Sequence, residues 1–186
     1  MKKKFKLFAT IGSLCLAVAM MTIGVLAATT ASFTVTSNVT FSAVAGIYAT
    51  YTVTDGTDTE TSKNWTSLEA ASTDFADKEV TLNTTANTVT ESNPTYSYTI
   101  QIANNGLADA DGHEGFTATH DGEDVSSGAH TVSYVWSGVA AGQISGKTVT
   151  INEGETATLT VTYTQVNFST SDSADLGCTI TLNIAA

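Results

Sequence analysis

The 186-residue chain carries 18 acidic residues against seven Lys+Arg, a formal net charge of −11. An acidic balance of this size disfavours nucleic acid and anionic membrane surfaces as partners, because both need phosphate-neutralising cations. The length suits one domain with a single core.

The basic residues are unevenly placed. Lys2, Lys3, Lys4 and Lys6 precede a nearly unbroken apolar run, Leu7 to Leu26, which ends at Val25-Leu26-Ala27 with Ala28 next. A positive start, an apolar middle and small residues at the end make a secretory signal peptide, residues 1–27, with cleavage after Ala27. The competing reading is an uncleaved membrane anchor, since about twenty apolar residues are long enough to span a bilayer. Cleavage would leave Ala28–Ala186 as one exported domain. Its only cations would be Lys63, Lys78 and Lys147 against all 18 acids, a formal charge of −15. Cys15 lies in the leader, so the exported chain would hold one thiol, Cys178, and no internal disulfide. Cys178 stands beside an alternating strand and reads as a small buried hydrophobe.

From Phe33 onward, period-two alternation dominates. Phe33, Val35, Val39 and Phe41 alternate with Thr34, Thr36 and Thr40, and Ile47, Ala49, Tyr51 and Val53 alternate with Tyr48, Thr50, Thr52 and Thr54, which puts Tyr48 on the outer face. The stretch Asn64–Phe75 breaks the rhythm: Trp65, Leu68 and Ala71 or Ser72 recur at spacings of three and four, with Phe75 beyond, which predicts a short helical crossover. A short strand is expected at Val80–Thr84. Alternation resumes at Tyr96–Ile102, and further short strands are expected at Phe116–His120, Val132–Trp136 and Thr148–Ile151. The last long runs are Thr156–Tyr163 and Thr179–Ile184. The Asn152-Glu153-Gly154-Glu155 turn predicts a hairpin between Thr148–Ile151 and Thr156–Thr164. Each run puts an apolar face inward and a threonine face outward, as half-buried antiparallel strands do. The fold expected is all-β: an antiparallel two-sheet, jelly-roll-like β-sandwich with one short helical crossover.

Motifs for chemistry are sparse. There is no Gly-x-Ser-x-Gly and no Gly-x-x-x-x-Gly-Lys. His113-Glu114 starts like a zinc-protease motif, but His120 follows seven residues after His113 on strand-like sequence, so two imidazoles cannot share a helix face. Asp109-Ala110-Asp111-Gly112-His113-Glu114 sets oxygen ligands near a glycine turn. Asp109, Asp111 and Glu114 therefore form the candidate metal site, with calcium as the ion, set against acidic turns that merely solvate. No catalytic and no cofactor-binding residue stands out, and the chain is read as a non-enzyme. Trp65, Trp136, Tyr134 and Tyr48 are candidates for an aromatic platform, although Trp136 shares parity with Val132 and Tyr134 and fits a core better.

Thr148–Ala186 is "TVTINEGETATLTVTYTQVNFSTSDSADLGCTITLNIAA": a turn, a long Thr/Val strand, an acidic loop at Asp172–Asp175 and a last alternating strand. With the leader and "YSYTIQIANNG" at Tyr96–Gly106, this resembles the secreted β-sandwich proteins of Gram-positive bacteria related to TasA and camelysin. The resemblance implies an exported structural protein of the cell surface or biofilm matrix, with a second copy or another surface protein as partner. Self-assembly by strand addition is the mechanism expected, with Thr29–Val39 as the added strand. The alternative is a surface binding module for a glycan or protein, using the Asp109–Asp124 loops and calcium-dependent in one version.

Overall fold

Threonine between apolar residues favours extended backbone, because its branched Cβ fits a pleated surface. The structure is a computed structural model describing residues 32–44, 46–56, 58–63, 78–83, 86–107, 112–169 and 174–185. Its strands are β1 (Ser32–Thr36), β2 (Asn38–Ala43), β3 (Ile47–Asp55), β4 (Asp58–Lys63) and β5 (Lys78–Asn83). Next come β6 (Asn87–Thr90), β7 (Thr95–Leu107), β8 (Gly115–His120), β9 (Val125–Ser126) and β10 (His130–Ser137). The last are β11 (Ile144–Ser145), β12 (Thr148–Asn152), β13 (Thr156–Gln165), β14 (Ala174–Asp175) and β15 (Cys178–Ile184).

The protein is an all-β sandwich. One sheet has the order β4-β3-β7-β13-β10-β9 and the facing sheet the order β11-β12-β8-β15-β2-β5. A small third sheet, β14-β1-β6, is built around the N-terminal strand. Pairing is antiparallel except for β1 with β14 and β2 with β15.

The core lies between the two large sheets. Tyr98, Ile100 and Ile102 of β7 and Leu159, Val161 and Tyr163 of β13 supply one side; Phe41, Phe116, Ile151, Ile180 and Leu182 supply the other. Phe41 of β2 stacks on Tyr51 of β3 across the layers, with ring centroids 4.1 Å apart and planes at 11°. Outside, threonines pair across strands: Thr52 with Thr61 (3.2 Å), Thr95 with Thr164 (3.2 Å) and Thr40 with Thr81 (3.1 Å). Cross-strand pairs of this kind contribute a few tenths of a kcal/mol each, about 0.2–1.

The two sides of the sandwich are finished differently. On one, the β4 and β5 edges are stitched by the Glu60 carboxylate, which accepts the Asn83 main-chain N–H at 3.0 Å. On the other, β9 covers β10 only at Thr131 and Val132, and β11 covers only the start of β12.

The structure revises three sequence expectations. The run from Phe33 to Phe41 is two strands, broken at the buried Ser37, where the chain passes from the small sheet into the large one. The predicted hairpin is an arch: β12 pairs with β8 and β11, while β13 pairs with β7 and β10 in the other sheet. The turn is held by Asn104 of β7: Gly154 N–H donates to Asn104 O (2.9 Å), Asn104 N–H donates to Glu155 O (3.0 Å), and the Asn104 side-chain amide crosses the layers to donate to Ile151 O of β12 at 2.8 Å. Both strands bury alternate residues in either topology, so their pattern cannot distinguish face-to-face from side-by-side placement. Tyr48, expected on the outer face, is buried beside the register shift between Ile47 and Ala49. The predicted helix at Asn64–Phe75 and the predicted leader at residues 1–27 both lie outside the described residues.

Candidate functional site

The less covered side of the sandwich holds a cavity of about 270 Å³. It forms where the end of β8, the loop after it, the edge strand β10 and the β11–β12 turn meet. Sheet hydrogen bonds carry the backbone there. His120 N–H donates to Lys147 O at 3.2 Å, and Asp121 N–H donates to Thr179 O at 3.1 Å. The Asp121 carboxylate accepts the Thr179 N–H at 2.7 Å, which ties the loop to β15. Asp124 then reaches the unpaired edge of β10, and its Oδ1 accepts the Tyr134 N–H at 2.9 Å.

The aromatic side of the cavity is layered. Tyr134 stacks on His120 (centroids 5.1 Å apart, 16° between planes), and Trp136 tilts against His120 at 5.9 Å. Trp136 is buried and donates Nε1–H to Lys147 O at 2.9 Å, so it serves the core, as its parity predicts. Gly122 lies against the Tyr134 ring: a Cβ there would fall 2.4 Å from two ring carbons, so only glycine lets the loop pass. With His120 and Gly122 against its ring, Tyr134 has little free face for a stacking platform. Lys147 and Glu123 form an ion pair at the rim.

Burial sets the protonation states. It holds His120 below the ordinary imidazole value, reinforced by the Lys147 ammonium and opposed by Asp124, the Gly122 carbonyl and Asp121. The side chain is therefore a neutral imidazole at pH 7, with one donor and one acceptor. Tyr134 is pushed up to about 12, first by burial and then by Cys178 and nearby carboxylates, and stays a phenol. Burial also pushes the Cys178 thiol up to about 12, as befits a buried hydrophobe. The cavity thus presents a carboxylate, a neutral imidazole, a phenol and an ion pair, a set suited to hydrogen bonding and charge recognition.

Of the sequence-predicted metal residues, Asp109 and Asp111 fall outside the described residues. Glu114 is exposed immediately before β8, at the opposite end of that strand from the cavity, and its carbonyl accepts the Glu153 N–H at 2.8 Å. Among the described residues, no group of three His, Cys, Asp or Glu side chains converges to hold a metal. His113 is exposed, and half-buried His130 stacks on Tyr163 at 5.5 Å. Sequence reasoning missed Lys147 and Glu123 as partners. They are 24 positions apart, and only the pairing of β8 with β12 joins them.

No protein-family model matches this chain, and a search of curated proteins finds no match either.

Proposed function

We propose that the protein is an exported structural component of the cell surface or extracellular matrix that assembles with copies of itself by exchanging its N-terminal strand. The observation that carries this reading is the setting of β1. It fills a slot between β6, antiparallel from Ser32 to Val35, and β14, parallel at Val35 and Thr36. Phe33 and Val35 are buried in the core with Val89 and Leu176; Phe33 lies opposite Val89 and meets Phe168 at 5.4 Å. Withdrawing β1 would leave two unpaired strand edges over an apolar patch. Such a slot accepts any strand of the same alternation, and the best match is β1 of another copy. The dense acidic charge and threonine-covered outer faces keep the sandwich bodies solvated while strands do the joining.

Light scattering after size-exclusion chromatography, followed by negative-stain microscopy, tests this on the chain from Ala28. Concentration-dependent oligomers or filaments are expected. Removal of Ala28–Thr36 abolishes them, and a free Thr29–Val39 peptide binds the truncated chain. A monomer at every concentration, with no binding of the peptide, would overturn the proposal.

A further inference from the structure

We infer that side chains close the open edges of the two large sheets to further strands, with Asp124 as the guard of β10, and so confine strand addition to the β1 slot. The inference deepens the strand-exchange reading and rests on it for what the guards regulate.

The need for a guard is clearest at β10. Its eight residues, His-Thr-Val-Ser-Tyr-Val-Trp-Ser, include no Asp, Glu, Lys or Arg, and Val135 is 57% exposed. An uncharged edge rich in aromatic and β-branched residues recruits strands from other chains. β9 covers β10 only at Thr131 and Val132. Farther along, the inner neighbour shows which way the main chain faces. Val161 of β13 lies opposite Tyr134, and its carbonyl accepts the Ser97 hydroxyl of β7 at 3.1 Å. Facing residues of an antiparallel pair turn their main-chain groups both toward each other or both away. Val161 turns away from β10, so Tyr134 turns its own groups to the open edge, and Trp136, two residues on, does the same.

Asp124 occupies this edge. Its Oδ1 accepts the Tyr134 N–H at 2.9 Å, in the place that a carbonyl of an added strand would take. The guard is held on both flanks. Upstream, Asp121 N–H donates to Thr179 O at 3.1 Å and the Asp121 carboxylate accepts the Thr179 N–H at 2.7 Å. Downstream, Val125 and Ser126 pair with β10. Between them, Gly122 lies against the Tyr134 ring and Glu123 is tied to Lys147. An incoming strand would have to displace a charge-assisted hydrogen bond and leave a carboxylate beside its own carbonyls.

The device recurs. β11 stops pairing with β12 at Val149. Just beyond, the Gln143 side-chain amide donates to Thr150 O at 3.1 Å, and Glu155 Oε2 accepts the Asn152 N–H at 3.0 Å. On β5, Glu60 Oε2 accepts the Asn83 N–H at 3.0 Å. Among the described residues, side chains thus fill main-chain positions at three of the four ends of the large sheets, and the fourth end, β4, supplies Glu60. The β1 slot is built otherwise. There β6 and β14 engage β1 through main-chain pairing, so a strand is what leaves and a strand is what replaces it.

Hydrogen exchange and light scattering on the chain from Ala28 test the guard, with Asp124→Ala set against Asp124→Asn. Both variants lose the same charge, and only asparagine keeps an oxygen for the Tyr134 N–H. Excess Thr29–Val39 peptide suppresses β1 exchange throughout, so the comparison reads the guard whether or not the wild-type chain exchanges. In dilute Asp124→Ala the Tyr134 amide should exchange about tenfold faster, while β13 amides keep their protection. On concentration, Asp124→Ala should form peptide-resistant oligomers in which the Tyr134 and Trp136 amides are protected. Wild type and Asp124→Asn should form none at the same concentration. If the β13 amides of Asp124→Ala also lose protection, Glu155→Ala against Glu155→Gln puts the same question to β12, read at the Asn152 amide. Peptide-resistant oligomers of the wild-type chain, equal oligomers in the alanine and the conservative variants, or none in either alanine variant would each overturn the inference.

Discussion

β1 and β2 are consecutive strands of one alternating run, and the chain treats them differently. Each has a parallel neighbour on one side and an antiparallel neighbour on the other. β2 is held along its whole length: β15 runs beside it from Cys178 to Leu182, and β5 from Lys78 to Asn83. β1 meets β14 only at Val35 and Thr36. Phe41 of β2 is fully buried against Tyr51, whereas Phe33 of β1 packs against Phe168 near the end of the sandwich. Identical sequence patterning therefore yields one strand paired along its length on both sides and one whose second edge is held at two residues only. The boundary between them is Ser37, whose hydroxyl lies 3.5 Å from the Tyr96 hydroxyl. Local stability is uneven within a fold, and segments with less packing open first.

The comparison is broken most sharply at its aromatic residues. Phe41→Ala empties the centre of the core and should cost about 3–5 kcal/mol in chemical denaturation. Phe33→Ala should cost less, about 2 kcal/mol or under, because the penalty cannot exceed the free energy of undocking β1. Hydrogen exchange sharpens the contrast: in Phe33→Ala the amides of β1 and β6 should lose protection while those of β2 and β15 keep it. Equal global losses for the two variants would mean that β1 and β2 unfold as one unit.

A smaller effect is expected at the root of the slot. Asp55, at the end of β3, is buried, and both carboxylate oxygens accept from the Asn87 amide of β6 (3.0 and 2.9 Å). Burial raises its pKa above 3.8, with Asp58 adding to the rise; hydrogen bonds from Tyr96 and Asn87 oppose it. Folding therefore favours the protonated acid. The contribution to stability is full below pH 3.8 and is lost as pH rises through the raised folded value. Asp55→Asn should remove that dependence and flatten the acid limb of the stability profile. An unchanged profile would show that Asp55 does not titrate with folding.

The smallest effect concerns Cys178. With its thiol held up near 12 by burial at the start of β15, it should not react with a thiol reagent at pH 8 unless the protein unfolds. Rapid labelling of folded protein would show that β15 frays where β2 begins.

The long alternating runs made the sandwich legible, because period two both specifies strand and marks the buried face. Phe33, Val35, Tyr98, Leu159 and Ile180 all point inward as their parity predicts. What could not be read was partnership. β4, Asp-Thr-Glu-Thr-Ser-Lys, carries no apolar residue because it is an edge, so nothing in its pattern announces a strand. The β12–β13 arch looked like a hairpin because face-to-face and side-by-side strands bury the same alternate residues. The cavity was legible only in pieces: His120 and Tyr134 each stood out, but their contact is created by two sheets meeting, and Lys147 looked like any surface cation. The acids at Asp109 and Asp111 drew attention through local density, and both lie outside the described residues.

The most direct measurement of strand exchange uses a cross-strand pair split between two chains. Thr34 of β1 lies opposite Thr88 of β6, and facing antiparallel residues are close enough for a disulfide. One chain carries Thr34→Cys and the other Thr88→Cys, both with Cys178→Ser, and the two are mixed under mild oxidation. The account predicts a disulfide joining the two chains, in a yield that rises with assembly and falls when a Thr29–Val39 peptide competes. If the mixed chains form no such bond while a single chain carrying both cysteines closes it internally, then β1 stays in its own fold, and the proposal of exchange is wrong.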